Sequence, residues 1–145
     1  NKLFETLDTK ISYFYLENIK KAYLADTVGF ISDLPTLLVE AFKSTLEELK
    51  NADLLLHVRD SCSNNSDTEK KEVIKVLSQL NINPNSSEGP LMIEIMNKID
   101  KAPANFKENL DNVRDLTFIS ALNGEGIDVL KNKIDQTLLV NMKSS

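Results

Sequence analysis

Residues 53–60, Asp-Leu-Leu-Leu-His-Val-Arg-Asp, form a short apolar run closed by carboxylates, and a polar stretch from Ser61 to Ser66 separates it from a segment of helical period. A run of that length suits a strand buried on both faces, as in parallel sheets covered by helices, and it is expected to be a central strand. In the segment that follows, Ser66-x-x-Glu69 matches a capping box, and Val73, Ile74, Leu77 and Leu80 line one helical face. The pattern then recurs. Leu91–Met96 and Leu116–Ile119 read as strands, and Ile127, Leu130, Ile134 and Leu138 recur at helical spacing beyond the breaker Gly124-x-Gly126. Strands alternating with helices predict an α/β domain with a mostly parallel sheet flanked by helices, whose ligands bind beyond the carboxyl ends of the strands.

The amino-terminal part differs. Residues Ile11–Leu16 and Ile19–Ala25 are rich in β-branched and aromatic side chains and flank Glu17-Asn18, which predicts a hairpin with Asn18 in the turn. Ser32-Asp33-Leu34-Pro35 then signals a helix start, and Leu34, Leu37, Leu38, Ala41, Phe42, Thr45, Leu46 and Leu49 form its apolar face. Asn81–Pro90 is turn-rich, and Asn105–Val113 is only weakly patterned.

Composition narrows the functions. A chain of 145 residues is one domain's worth, with 41% hydrophobic and 27% charged residues, so neither a disordered chain nor a coiled coil fits. No apolar stretch approaches the roughly 20 residues that span a bilayer. One cysteine, Cys62, and one histidine, His57, supply neither an intramolecular disulfide nor a zinc site. A formal charge of −5 without a dense Lys/Arg stretch argues against a nucleic-acid footprint in this segment, so neither a membrane nor DNA is an expected partner. The four glycines form neither G-x-G-x-x-G nor G-x-x-x-x-G-K-[ST].

Three loops at expected strand ends carry chemistry. The most specific is Asn97-Lys98-Ile99-Asp100, a pattern that composition alone would produce in about one chain in fifty of this length. A carboxylate at Asp100 can accept from the N1 and N2 donors of guanine, whereas adenine would leave it unpaired. Asn97 can hold the loop and approach N7, and the stem of Lys98 can pack on the ring while its ammonium stays wet. The second loop, Asp26-Thr-Val-Gly29, is a D-x-x-G. An aspartate there can hold Mg²⁺ through a water, and a glycine admits a backbone N–H to a terminal phosphate; a capped turn is the simpler account of the same four residues. In the third, Ser120-Ala121-Leu122-Asn123-Gly124, Ser120 can brace Asp100 and a backbone N–H can donate to guanine O6. Asp60 also ends a strand, but it lacks the paired acidic residues of a phospho-acceptor site, and His57 reads as a packed side chain rather than a general base.

In order, D-x-x-G, N-K-x-D and S-A-L resemble a Ras-like, P-loop-type GTPase. The longer strings Leu24-Ala-Asp-Thr-Val-Gly-Phe-Ile31, Leu34-Pro35, Ala41-Phe42-Lys43-Ser44-Thr45-Leu46-Glu47 and Leu55-Leu-His-Val-Arg-Asp60 resemble the HflX family of ribosome-associated GTPases. The form His-Val-Arg-Asp and the Asn-rich loops resemble its eukaryotic, mitochondrial branch, which implies a mitochondrial location, with the cytosol as the alternative.

That resemblance implies roles residue by residue. Thr6 stands at the switch-one threonine that coordinates Mg²⁺, with Thr9 as a second candidate. Asp26 and Gly29 stand at the Mg²⁺-linked aspartate and the γ-phosphate glycine. Asn97, Lys98 and Asp100, supported by Ser120, Ala121 and Leu122, read the guanine of GTP or GDP. Phe30 replaces a water-orienting glutamine, which implies slow intrinsic hydrolysis accelerated by a partner. In the family that partner is the large ribosomal subunit, engaged mainly through an N-terminal domain.

In this reading residues 1–145 are a partial G domain running from switch one to the last helix. The family's first strand, P-loop and first helix would precede Asn1, so the chain alone is expected to bind GTP poorly and not to hydrolyse it. The missing strand would lie between those ending at Asp26 and Asp60, leaving both neighbours with unpaired edges. The alternative is a nucleotide-incompetent binding module that docks to ribosomes or proteins.

Overall fold

The computed structural model describes residues 10–26, 47–63, 66–102 and 116–144. Strands β1 (Lys10–Tyr15) and β2 (Lys21–Asp26) pair antiparallel, with Tyr13 opposite Tyr23. Strands β3 (Leu54–Asp60), β4 (Leu91–Asn97) and β5 (Leu116–Phe118) form a parallel sheet in the order β3-β4-β5. Helix α1 (Ser66–Gln79) crosses from β3 to β4, and helix α2 (Ile127–Ser144) follows β5. The α/β expectation holds, with helices packed on a parallel sheet. Among the described residues β4 lies in the middle of the sheet, where Ile93, Glu94, Ile95 and Met96 are all buried, and β3 lies at its edge, where Val58 is 56% exposed. Among the described residues β2 and β3 belong to separate sheets and no strand joins them. The predicted helix over 34–49 lies outside the described residues except for its end, where Glu47–Asn51 is a 3-10 turn.

Two apolar clusters hold the layers. Beneath α1, Leu55 meets Val73, Leu77, Leu80 and Ile82. Val76 is buried in place of the expected Ile74, which is 36% exposed. The helix ends in a Schellman turn: Asn81 takes φ 62°, its N–H donates to Ser78 O at 3.0 Å, and Ile82 N–H reaches Leu77 O at 2.8 Å. At the other end of α1 the Glu69 carboxylate accepts from the Ser63 hydroxyl, and the Ser66 side chain of the expected capping box lies outside the described residues. On the opposite face, α2 sets Leu130 and Ile134 against Ile93, Ile95 and Ile119, together with Leu16 and Ala22 of the hairpin.

The hairpin turn is longer than predicted, with Leu16–Lys20 connecting the strands and Lys20, not Asn18, at positive φ (73°). The cause is Asp135 of α2, buried to 2% exposure. Its carboxylate accepts from Asn18 N–H at 3.1 Å, Asn18 Nδ2 at 2.8 Å and Ile19 N–H at 2.9 Å. Those donors are turned towards the helix, so the reversal falls two residues later.

A second polar group lies under α1. Arg59 and Glu94 are both buried, Arg59 Nη1 standing 3.4 Å from Glu94 Oε2 and Arg59 Nη2 2.8 Å from Asp67 Oδ1. Lys70 Nζ completes the set at 2.9 Å from Glu94 Oε1. His57, opposite Glu94 in the β3–β4 register, keeps Nδ1 buried without a hydrogen-bond partner, and burial pushes its pKa below the ordinary value.

Candidate functional site

Because β4 and β5 run parallel, their carboxyl ends deliver two loops to one corner. Ile119 N–H donates to Met96 O at 2.8 Å, and Ile99 N–H returns to Ile119 O at 3.2 Å, so the 97–100 and 120–122 segments are laced together. Lys98 adopts φ 67°, a left-handed turn that ends β4 and starts the turn bonded from Lys101 N–H to Lys98 O at 3.0 Å.

Two side-chain contacts between the two loops can be placed atom by atom. Ser120 is fully buried, and its hydroxyl donates to Asp100 Oδ1 at 2.7 Å. It also accepts from Asn123 N–H at 3.3 Å, which sets the hydroxyl proton toward the carboxylate. Asn97 Oδ1 accepts from Ala121 N–H at 2.9 Å, so the asparagine does hold the loop and its amide nitrogen is left for another acceptor. Ala121 N–H is thus engaged by Asn97, and the neighbouring Leu122 side chain is 79% exposed.

The loop leaves toward α2 through two glycines at positive φ. At Gly126 (φ 78°) a Cβ would stand 2.2 Å from Phe118 O, so only glycine permits that approach, whereas a Cβ at Gly124 (φ 87°) would meet nothing within 4 Å. Asp100 is solvent-exposed, with one carboxylate oxygen fixed by Ser120. A planar carboxylate anchored on one side can accept a pair of N–H donors from a flat heterocycle on the other.

Sequence reasoning missed a contact at this corner. Asp60, at the end of β3 and in register with Asn97, places Oδ2 3.1 Å from Lys98 Nζ. Its other oxygen accepts from Cys62 N–H at 2.8 Å, and Ser61 N–H donates to Asn97 O at 3.0 Å. Partial desolvation raises the Asp60 pKa, but the Cys62 N–H and the Lys98 ammonium outweigh it and leave it below the ordinary carboxyl value. The available signal was the register itself, a carboxylate at one strand end beside a lysine at the next.

Other expected residues do not enter this corner. Thr6, Thr9, Gly29 and Phe30 lie outside the described residues, and Asp26 is described only as the last residue of β2. Among the described residues no group of three or more His, Cys, Asp or Glu side chains could hold a metal ion. The helices described there include none long and apolar enough to cross a membrane.

A parallel α/β sheet with an N-K-x-D loop braced by the following S-A-L loop defines the class, a GTPase domain. A model of the 50S ribosome-binding GTPase family matches residues 1–98, and the chain belongs to that family. It is 46% identical over 141 residues to the GTPase HflX of Caldanaerobacter subterraneus subsp. tengcongensis, a match covering 95% of this chain and 30% of that protein. It is 34% identical over 142 residues to GTP-binding protein 6 of Homo sapiens, covering 96% and 26% respectively. A chloroplastic GTP-binding protein of Arabidopsis thaliana is 48% identical over 99 residues, covering 68% of this chain and 16% of that protein. Among solved structures, a crystal structure of an SsGBP mutation variant superposes with a TM-score of 0.73 at 28% identity, covering 92% of this chain and 48% of that one. The chain therefore spans about a third or less of the length of its curated relatives.

Proposed function

We propose that residues 1–145 are a partial G domain of an HflX-type GTPase that binds GTP and GDP with Mg²⁺ and acts on the large ribosomal subunit. The observation that carries the nucleotide reading is the 2.7 Å bond from Ser120 to Asp100, which holds a carboxylate in the exposed position that guanine N1 and N2 require. Asn97 faces N7 and a backbone N–H of the Ser120–Gly124 loop faces O6, while Ala121 N–H holds Asn97 in place. Lys98 covers the ring plane.

Asp26 and Gly29 stand beside the phosphates in this reading, and Thr6 joins Asp26 at the metal. A threonine hydroxyl and a carboxylate are hard oxygen donors, the kind Mg²⁺ accepts alongside water and phosphate oxygens. When bound, the ion neutralises charge on the phosphates; this chain's residues orient the base and hold the strand ends. Phe30 brings no hydrogen-bonding group for the attacking water, so hydrolysis is slow until the ribosome joins. The ribosomal partner is supported by the description of the matching family, and an organellar site of action by the description of the Arabidopsis relative as chloroplastic; the choice of the mitochondrion rests on the His57-Val-Arg-Asp60 form and the Asn-rich loops.

The test is titration of the full-length protein with fluorescent GDP and ADP, alone and with large ribosomal subunits. Selective GDP binding that Asp100→Asn weakens at least tenfold is expected. Equal binding of both nucleotides, or none, would replace this reading with that of a binding module.

A further inference from the structure

Lys98 is an exposed member of the corner, its side chain 55% accessible, and a lysine stem in that setting samples many rotamers. A side chain that must lie flat against an aromatic ring gains from having its far end fixed before the ring arrives. The far end of Lys98 is fixed. Its Nζ stands 3.1 Å from Asp60 Oδ2, and the carboxylate that holds it is itself held by Cys62 N–H at 2.8 Å. The strand ends that carry the two residues are locked by the β3–β4 register, Asp60 opposite Asn97, and by the bond from Ser61 N–H to Asn97 O. In the sequence alone Asp60 has no task, since no acidic partner makes it a phospho-acceptor.

We infer that Asp60 is a positioning residue for the nucleotide site: by anchoring the Lys98 ammonium across the ends of β3 and β4 it lays the lysine stem along the face that a purine ring occupies. The inference rests on the guanine reading proposed above. Because the stem touches the ring plane and not its edge, Asp60 contributes to affinity for any base that Asp100 admits and does not itself tell one base from another. This separates it from Asp100, which reads the N1 and N2 edge.

The experiment uses the full-length protein and fluorescent GDP, IDP and ADP. Inosine lacks the 2-amino group and keeps the ring. Asp60→Asn retains an oxygen for Cys62 N–H, so the turn is kept while the charge is lost. It is expected to weaken GDP and IDP by the same factor, about two- to tenfold, with Asp60→Glu recovering part of the loss. The difference between wild type and Asp60→Asn should shrink with added salt, which screens an exposed pair. In a Lys98→Ala background Asp60→Asn should have no further effect. A guanine-selective wild type whose GDP affinity is unchanged by Asp60→Asn overturns the positioning role alone. An equal loss with and without the lysine also overturns it, since Asp60 would then act through the turn. A wild type that does not prefer GDP to ADP overturns the guanine reading and the positioning role together.

Discussion

Ser120 and Asp100, twenty residues apart, meet across 2.7 Å, and the serine that makes this contact has no exposed surface at all. A buried hydroxyl aimed at an exposed carboxylate is a fixed support for a group that faces solvent. Ser120→Ala should therefore weaken GDP binding by about tenfold, the scale of one hydrogen bond to a charged group. Fluorescent nucleotide titration of the full-length protein measures it. Unchanged affinity would show that Asp100 is held by its own turn.

The glycines before α2 separate two kinds of constraint. Gly126→Ala adds a Cβ 2.2 Å from Phe118 O at positive φ and is expected to cost about 2 kcal/mol or more in chemical denaturation. Gly124→Ala carries the conformational term alone and should cost about 1 kcal/mol. A reversed order would refute the close approach at Phe118.

Arg59 and Glu94 are buried beneath α1 with Asp67 and Lys70 as their further partners. Glu94→Gln should lower stability by about 1–2 kcal/mol, because Arg59 and Lys70 lose the charge they share while Arg59 keeps Asp67 at 2.8 Å. The double variant Arg59→Met with Glu94→Met should lose less than Glu94→Gln does. Urea unfolding of the three proteins decides the matter.

His57 gives stability a pH dependence of known sign. Its folded pKa lies below the ordinary 6.5, chiefly through burial, so the unfolded chain binds the proton more readily. Its contribution is complete above pH 6.5 and is lost as the pH falls through the lower folded value. Thermal melts at stepped pH should show this decline in the wild type, and His57→Phe should flatten it. An equal slope in both proteins would assign the dependence to other groups.

Period and breakers made the parallel sheet legible. The apolar runs expected at 53–60, 91–96 and 116–119 became β3, β4 and β5 to within one residue at each end, and the Gly124-x-Gly126 breaker did precede α2. The corner was legible for the same reason, since Asn97 ends a strand and Asp100 and Ser120 each follow one. What escaped is non-local. Asp135 looks like one polar residue on a helix until the hairpin tip meets it, and Arg59 looks like a solvated charge until Glu94 and α1 enclose it. Val76 replaces Ile74 on the buried face of α1 because the orientation of a helix is set by the sheet beneath it, which a periodicity cannot see. That β4 has a partner on each side among the described residues likewise depends on pairing, not on the composition of the run.

The bond from the hairpin tip to Asp135 also sets an order of events during synthesis. Asn18 and Asp135 are 117 residues apart, so the hairpin leaves the exit tunnel while the helix that will receive its tip has yet to be made. Chains are made at about 5–20 residues per second, which leaves the Asn18 donors exposed to water for about six seconds or more. Docking of the tip is thus a late event in the maturation of this domain, and truncation anywhere before α2 would leave the hairpin formed but undocked.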